Sequence, residues 1–138
     1  MRIALNLGFC LTLVSSADAA APALNCADPQ SNLEMKMCAS RELSAAENDL
    51  KAAFERALKA AEEQYASVRR EPGFETMPNM PEELRKTERA WEAFRDLNCG
   101  YQNLVYYGGS IAPLALTSCL RDMTKARVKE LRDLVDPQ

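Results

Sequence analysis

From Leu43 onward, apolar positions return every three or four residues: Leu43, Ala46, Leu50, Phe54, Ala57, Ala61 and Tyr65. That spacing draws one stripe along a helix from about Ser40 to Val68, with Lys51, Glu55, Arg56, Lys59, Glu62 and Glu63 on its other faces. Upstream, Asp28-Pro29 has the form of an N-cap followed by proline at the first helical position, so a short extra helix is expected to lead into Cys38. The run from Arg70 to Pro81, REPGFETMPNMP, holds three prolines and a glycine and cannot continue a helix. Pro81-Glu82-Glu83 then opens a second helix, with proline where it is tolerated and acids near the positive end of the dipole. Its stripe reads Leu84, Thr87, Trp91, Phe94, Asn98, Tyr101 and Val105, and Gly108-Gly109 ends it. Ser110 is placed to cap a third helix that runs to about Val135, with Leu116, Leu120, Met123, Arg127, Leu131 and Leu134 on one face. Almost no strand pattern accompanies these segments. The pattern predicts an all-α, antiparallel three-helix bundle.

Arg127 interrupts an otherwise apolar stripe. A buried guanidinium is tolerated only among carboxylates and other acceptors, and Asp96 and Glu47 are the candidate partners, with Asp96 preferred. In the competing view Arg127 lies at the edge of the stripe and extends into water. Trp91 and Phe94, three apart, read as core. Arg95 and Asp96 are neighbours that point in different directions, which suits internal ion pairs better than a shared ligand. Gly108-Gly109-Ser110 reads as a helix stop and cap; no strand precedes it and no P-loop lysine follows, so it is not a phosphate cradle.

Composition narrows the function. The chain has 138 residues and 47% hydrophobic content, enough for a single modest core. Met1 to Ala19 has the layout of a secretory signal: Arg2, an apolar run from Ile3 to Val14, and a small-x-small site at Ala17-Asp18-Ala19, leaving residues 20–138 as one domain. Phe9 before Cys10 and Asn25 before Cys26 both fit lipid attachment poorly, so no stable membrane anchor is expected after cleavage. Cys26, Cys38, Cys99 and Cys119 remain, an even count that implies two disulfides in an oxidising compartment. No close Cys-x-x-Cys pair exists and the chain contains no His, which argues against a metal site and removes Ser-His and Cys-His catalysis. Neighbouring carboxylates such as Glu62-Glu63 diverge on a helix, so no catalytic residue and no cofactor are assigned. A net charge of −3 disfavours nucleic acid.

Antiparallel packing brings Cys38, Cys99 and Cys119 to one end of the bundle. Cys99 and Cys119 flank the glycine turn at similar distances, which favours pairing them and leaves Cys26 for Cys38. Four cysteines nevertheless allow three connectivities, and the spacing alone does not choose.

The stretch Trp91, Phe94, Arg95, Asp96, Cys99 resembles the W-x-x-[FY]-R-D-x-x-C pattern of the lysozyme-inhibitor LprI N-terminal-domain-like family. Gly108-Gly109-Ser110, the run Cys119, Thr124, Arg127, Leu131, and upstream Met35, Cys38, Ala39, Ala46 and Leu50 extend the resemblance over most of the chain. Departures are Glu47 where the family usually has Asp, Lys36 and Lys51 for Asn, Phe54 for Tyr, and Glu88 where Gln often precedes the Trp. The resemblance implies a small exported bacterial domain that binds protein without catalysis, an inhibitor of lysozyme or a related wall hydrolase. An accessory domain of the periplasm without lysozyme inhibition is the alternative. Tyr101, Tyr106 and Tyr107 beside the glycine turn are the first candidates for a partner-binding surface, and Phe74 in the proline-rich linker is the second.

Overall fold

A computed structural model describes residues 24–136, so the expected signal segment and its cleavage site lie outside the described residues. Three helices follow one another: α1 (Asn32–Val68), α2 (Met80–Val105) and α3 (Ala112–Val135), with no strand among the described residues. The disulfide-stapled three-helix bundle expected from the pattern is therefore present.

The extra N-terminal helix is not separate. Nothing between Met35 and Arg41 breaks a helix, so the turns around Cys38 belong to α1, which runs for 37 residues. Its N-cap is Ser31 rather than Asp28: the Ser31 Oγ accepts the Glu34 N–H at 3.2 Å, and the Glu34 carboxylate accepts the Gln30 N–H. This is a Ser-x-x-Glu capping arrangement, which satisfies otherwise orphaned donors on both sides of the helix start. At the start of α2, Asn79 Oδ1 accepts the Glu82 N–H at 3.0 Å, and Pro81 fits the first turn, where no intrahelical N–H bond is needed.

The α2–α3 connection corrects the role expected of Ser110. Gly108 takes a left-handed φ of +78°, which reverses the chain after Val105. Ile111, not Ser110, occupies the cap position of α3, and no side chain caps that helix. Pro113 in the first turn removes one N–H that a cap would have served.

α1 packs chiefly on α3, and α2 lies more lightly against both. The core is built from Leu50, Ala53 and Ala57 of α1 and Val128 and Leu131 of α3, with Phe54, Leu84, Trp91 and Val135 packed against them. Alanines on the α1 seam bring the two backbones close, and Leu131 is fully buried as a result. Two disulfides staple this frame. Cys26–Cys38 ties the N-terminal segment to α1, and Cys99–Cys119 rivets the end of α2 to the start of α3, with Cα separations of 5.5 and 5.6 Å. The structure thus selects the favoured pairing of the three, and each bridge contributes about 2–4 kcal/mol.

Candidate functional site

The face that α2 turns inward differs from the stripe read in its sequence. Its buried and half-buried positions are Met80, Pro81, Leu84, Glu88, Trp91, Arg95, Asn98, Cys99, Gly100 and Asn103. Trp91 packs on the core as expected, but Phe94 does not: it is 59% exposed. The half-cystine at Cys99 fixes the rotation. A bridge to Cys119 requires that side chain to face α3, and this carries Arg95 and Glu88, one and three turns back, to the same side.

Arg127 of α3 meets Glu88 there. Arg127 Nε donates to Glu88 Oε2 at 3.0 Å, Nη2 lies 3.0 Å from the same oxygen, and the two side chains are only 11% and 7% exposed. Arg127 Nη1 also reaches Glu130 at 2.8 Å, on the solvent side. Neither Asp96 nor Glu47 is the partner of Arg127. Asp96 points away from α3 and accepts from its neighbour Arg95 at 2.9 Å, while Glu47 stands exposed on α1. Arg95 is itself largely buried, and its Nη1 donates to the fully buried Thr124 Oγ1 at 3.1 Å. Both guanidinium groups lie over the Trp91 ring, with Arg95 at 5.3 Å and Arg127 at 5.7 Å from its centroid.

Burial pushes the Glu88 carboxyl above its usual range, and the hydrogen bond and charge of Arg127 oppose that shift without cancelling it. Its second oxygen, Oε1, is buried and finds no hydrogen-bond partner among the described residues. Sequence reasoning missed Glu88 because the apolar stripe read along α2, from Leu84 through Thr87 to Trp91, passes over it. The signal was present: Glu88, Trp91 and Arg95 recur at steps of three and four and lead to Cys99.

A groove of about 520 Å³ runs between α1 and α2, with Glu47, Lys51, Arg85, Arg89 and Glu92 at its rim and Leu50 and Phe54 in its wall. Its charges are mixed in sign, and Glu88 on its floor is held by Arg127. Among the described residues there is no cluster of three or more metal-ligating side chains. The motif residues Trp91, Arg95 and Arg127 thus form an internal network that positions α2 on α3.

The aromatic candidates lie outside that network. Tyr101, Tyr106 and Tyr107 are exposed, Tyr107 at 85%, and Ile111 beside them is about half exposed. Backbone bonds make the turn compact: the N–H groups of Tyr106, Tyr107 and Gly109 donate to the carbonyls of Asn103, Leu104 and Tyr106 at 3.1, 3.1 and 2.9 Å. Phe74, also exposed, belongs to the α1–α2 linker at the other end of the bundle and is not brought together with the tyrosines. Between Asp96 and Arg121 the chain has no charged residue, so the turn end is uncharged as well as aromatic.

These features define a small, disulfide-riveted helical domain whose ionisable motif residues are spent on internal contacts and whose aromatic residues at the α2–α3 turn face out. The chain belongs to the lysozyme inhibitor LprI family, whose model matches residues 25–131. It is similar to an uncharacterized protein of Rhizobium meliloti (strain 1021), with 27% identity over 136 residues, covering 96% of this chain and 93% of the relative. No solved structure matches it. No helix among the described residues is long and apolar enough to cross a membrane.

Proposed function

We propose that this is an exported, non-enzymatic binding protein that blocks a wall hydrolase of the lysozyme kind by placing its turn end, Tyr106 to Ile111, in the enzyme's cleft. Family membership supports the inhibitory class. The observation that carries the assignment of the surface is the compact, uncharged turn with Tyr106, Tyr107 and Ile111 exposed upon it. Lysozyme clefts hold paired carboxylates, so a tip without acidic residues enters them free of like-charge repulsion. Tyrosine offers a flat apolar face and a hydroxyl to a surface built for sugar rings, at low cost in side-chain entropy. The net charge of −3, carried elsewhere on the bundle, favours approach to a cationic enzyme.

The test is titration of the oxidised protein against lysozymes of several types, read as lysis of cell walls. Loss of activity is expected to saturate at one inhibitor per enzyme. Tyr107→Ala is expected to weaken inhibition about tenfold to a hundredfold, the effect of losing an aromatic anchor. Full lytic rates in the presence of excess protein, for every lysozyme type, would remove the proposal.

A further inference from the structure

The rotation that carries Glu88 and Arg95 inward leaves an apolar stripe exposed along the C-terminal half of α2. Phe94, Leu97, Tyr101, Leu104 and Val105 follow one another at steps of three, four, three and one, a single helical stripe, and each is between 59% and 76% exposed. Neither α1 nor α3 covers it. We propose that this face is a self-association surface, which pairs two copies of the chain, α2 against α2, about a twofold axis.

Area, charge and shape converge on a second copy. Scaled by their exposure, the five side chains present roughly 600 Å² of surface, at the upper limit for the largest apolar patch of a typical monomer. With a polar rim such a patch approaches the ~800 Å² per partner of a standard interface. A twofold interface sets each patch against its own copy, so any charge near its centre would meet its like. The stripe has none: Leu97 begins the long uncharged stretch, and the charges beside Phe94, Arg95 and Asp96, close on each other at 2.8 Å. A cationic enzyme would find no acidic complement on this stripe, and an anionic lipid surface would find no lysine or arginine.

Antiparallel crossing near Leu97 and Tyr101 sets Phe94 of one copy against Leu104 and Val105 of the second copy. The Tyr101 hydroxyl then reaches the wet rim. The two turn ends then lie at opposite ends of the contact.

Sedimentation equilibrium of the oxidised protein from about 1 μM to about 1 mM tests this, since that span brackets weak to moderate association. A concentration-dependent monomer–dimer equilibrium is expected, and Leu97→Glu and Tyr101→Glu are each expected to raise the dissociation constant at least ~100-fold, because each buries a carboxylate beside its own symmetry mate. Both positions are exposed in the single chain, so far-UV circular dichroism of the variants should match the wild type. A monomer across the whole range overturns the proposal. So does a dimer indifferent to both substitutions, or a monomer that instead co-sediments with phosphatidylglycerol vesicles through this face.

Discussion

Replacing Arg127 with methionine tests the central contact of the bundle. Methionine keeps the helix propensity and most of the aliphatic volume of arginine, so the loss isolates the charge. It strips Glu88 Oε2 of its donor on a side chain that is only 7% exposed, and Oε1 already lacks one. Removing one partner of a buried pair costs about 3–5 kcal/mol, a large part of the 5–15 kcal/mol that holds a domain together. For a domain near 110 residues, about 4 °C per kcal/mol gives a fall in Tm of roughly 12–20 °C, read by circular dichroism with both disulfides intact. The exposed link from Arg127 to Glu130 adds little to this figure.

Two companions discriminate the cause. Glu88→Leu with Arg127→Met should recover most of the stability, because an apolar pair of similar volume leaves no buried charge behind. The deficit of the single variant should also depend on pH. Burial raises the Glu88 carboxyl in the folded state, with Glu92 and Glu130 adding to the rise and Arg127 opposing it. A folded pKa above the unfolded one means that the folded state holds the proton more tightly. The associated stability is complete below the unfolded glutamate pKa and is lost as pH rises through the folded one. Without Arg127 the opposing influence disappears, so the variant should be least impaired near pH 4 and most impaired above neutrality. A cost under about 1 kcal/mol, or a double variant as weak as the single, would refute a buried pair and return Arg127 to solvent.

Leu131→Ala removes a fully buried core side chain and should cost about 2–5 kcal/mol in urea denaturation, without moving the turn end. Replacing Cys99 and Cys119 together by serine opens a bridge spanning 20 residues and should cost about 3 kcal/mol, seen as a lower urea midpoint that reductant no longer changes through this bridge. Gly108→Ala meets no atom within 4 Å, so its cost is conformational; at φ +78° it should destabilise by about 1 kcal/mol in the same assay.

The helical architecture could be read from the chain because its causes are local. Periodic apolar positions, the breakers between Arg70 and Pro81, and the glycines at 108 and 109 each act within a few residues. The small errors at the ends have local causes too: Ser31 with Glu34 outcompeted Asp28 as the cap, and Pro113 removed one N–H that a cap of α3 would have served. What could not be read locally was the rotation of α2. Counting apolar residues places Phe94 and Tyr101 inside, while the bridge at Cys99 and the pairing of Glu88 with Arg127 place them outside. Those are contacts between helices, and a period along one helix does not encode them. The exposure of Tyr106 and Tyr107 was legible for the opposite reason, since they follow the last position of the stripe and adjoin Gly108-Gly109, where no helix face buries them.

One cause therefore links the interior of the bundle to its surface. An amphipathic helix ordinarily hides its apolar side and wets its charged one. In α2 the assignment is partly inverted: Glu88, Arg95 and Asn98 face α3, and Phe94, Leu97, Tyr101, Leu104 and Val105 face solvent. Hydrophobic burial alone would rotate the helix the other way, so the covalent bridge at Cys99–Cys119 and the paired charges around Trp91 must hold it. The most recognisable motif of the chain is thus what keeps the apolar stripe turned outward. It follows that a chain carrying both Glu88→Leu and Arg127→Met, stable though it should be, loses part of what fixes that rotation. With the bridge intact the outer face should persist; with Cys99 and Cys119 also replaced, α2 is free to turn Phe94 inward, and its protection from solvent should rise. Hydrogen–deuterium exchange would localise the change to α2, and an unchanged exchange pattern in that four-residue variant would show that the rotation has another cause.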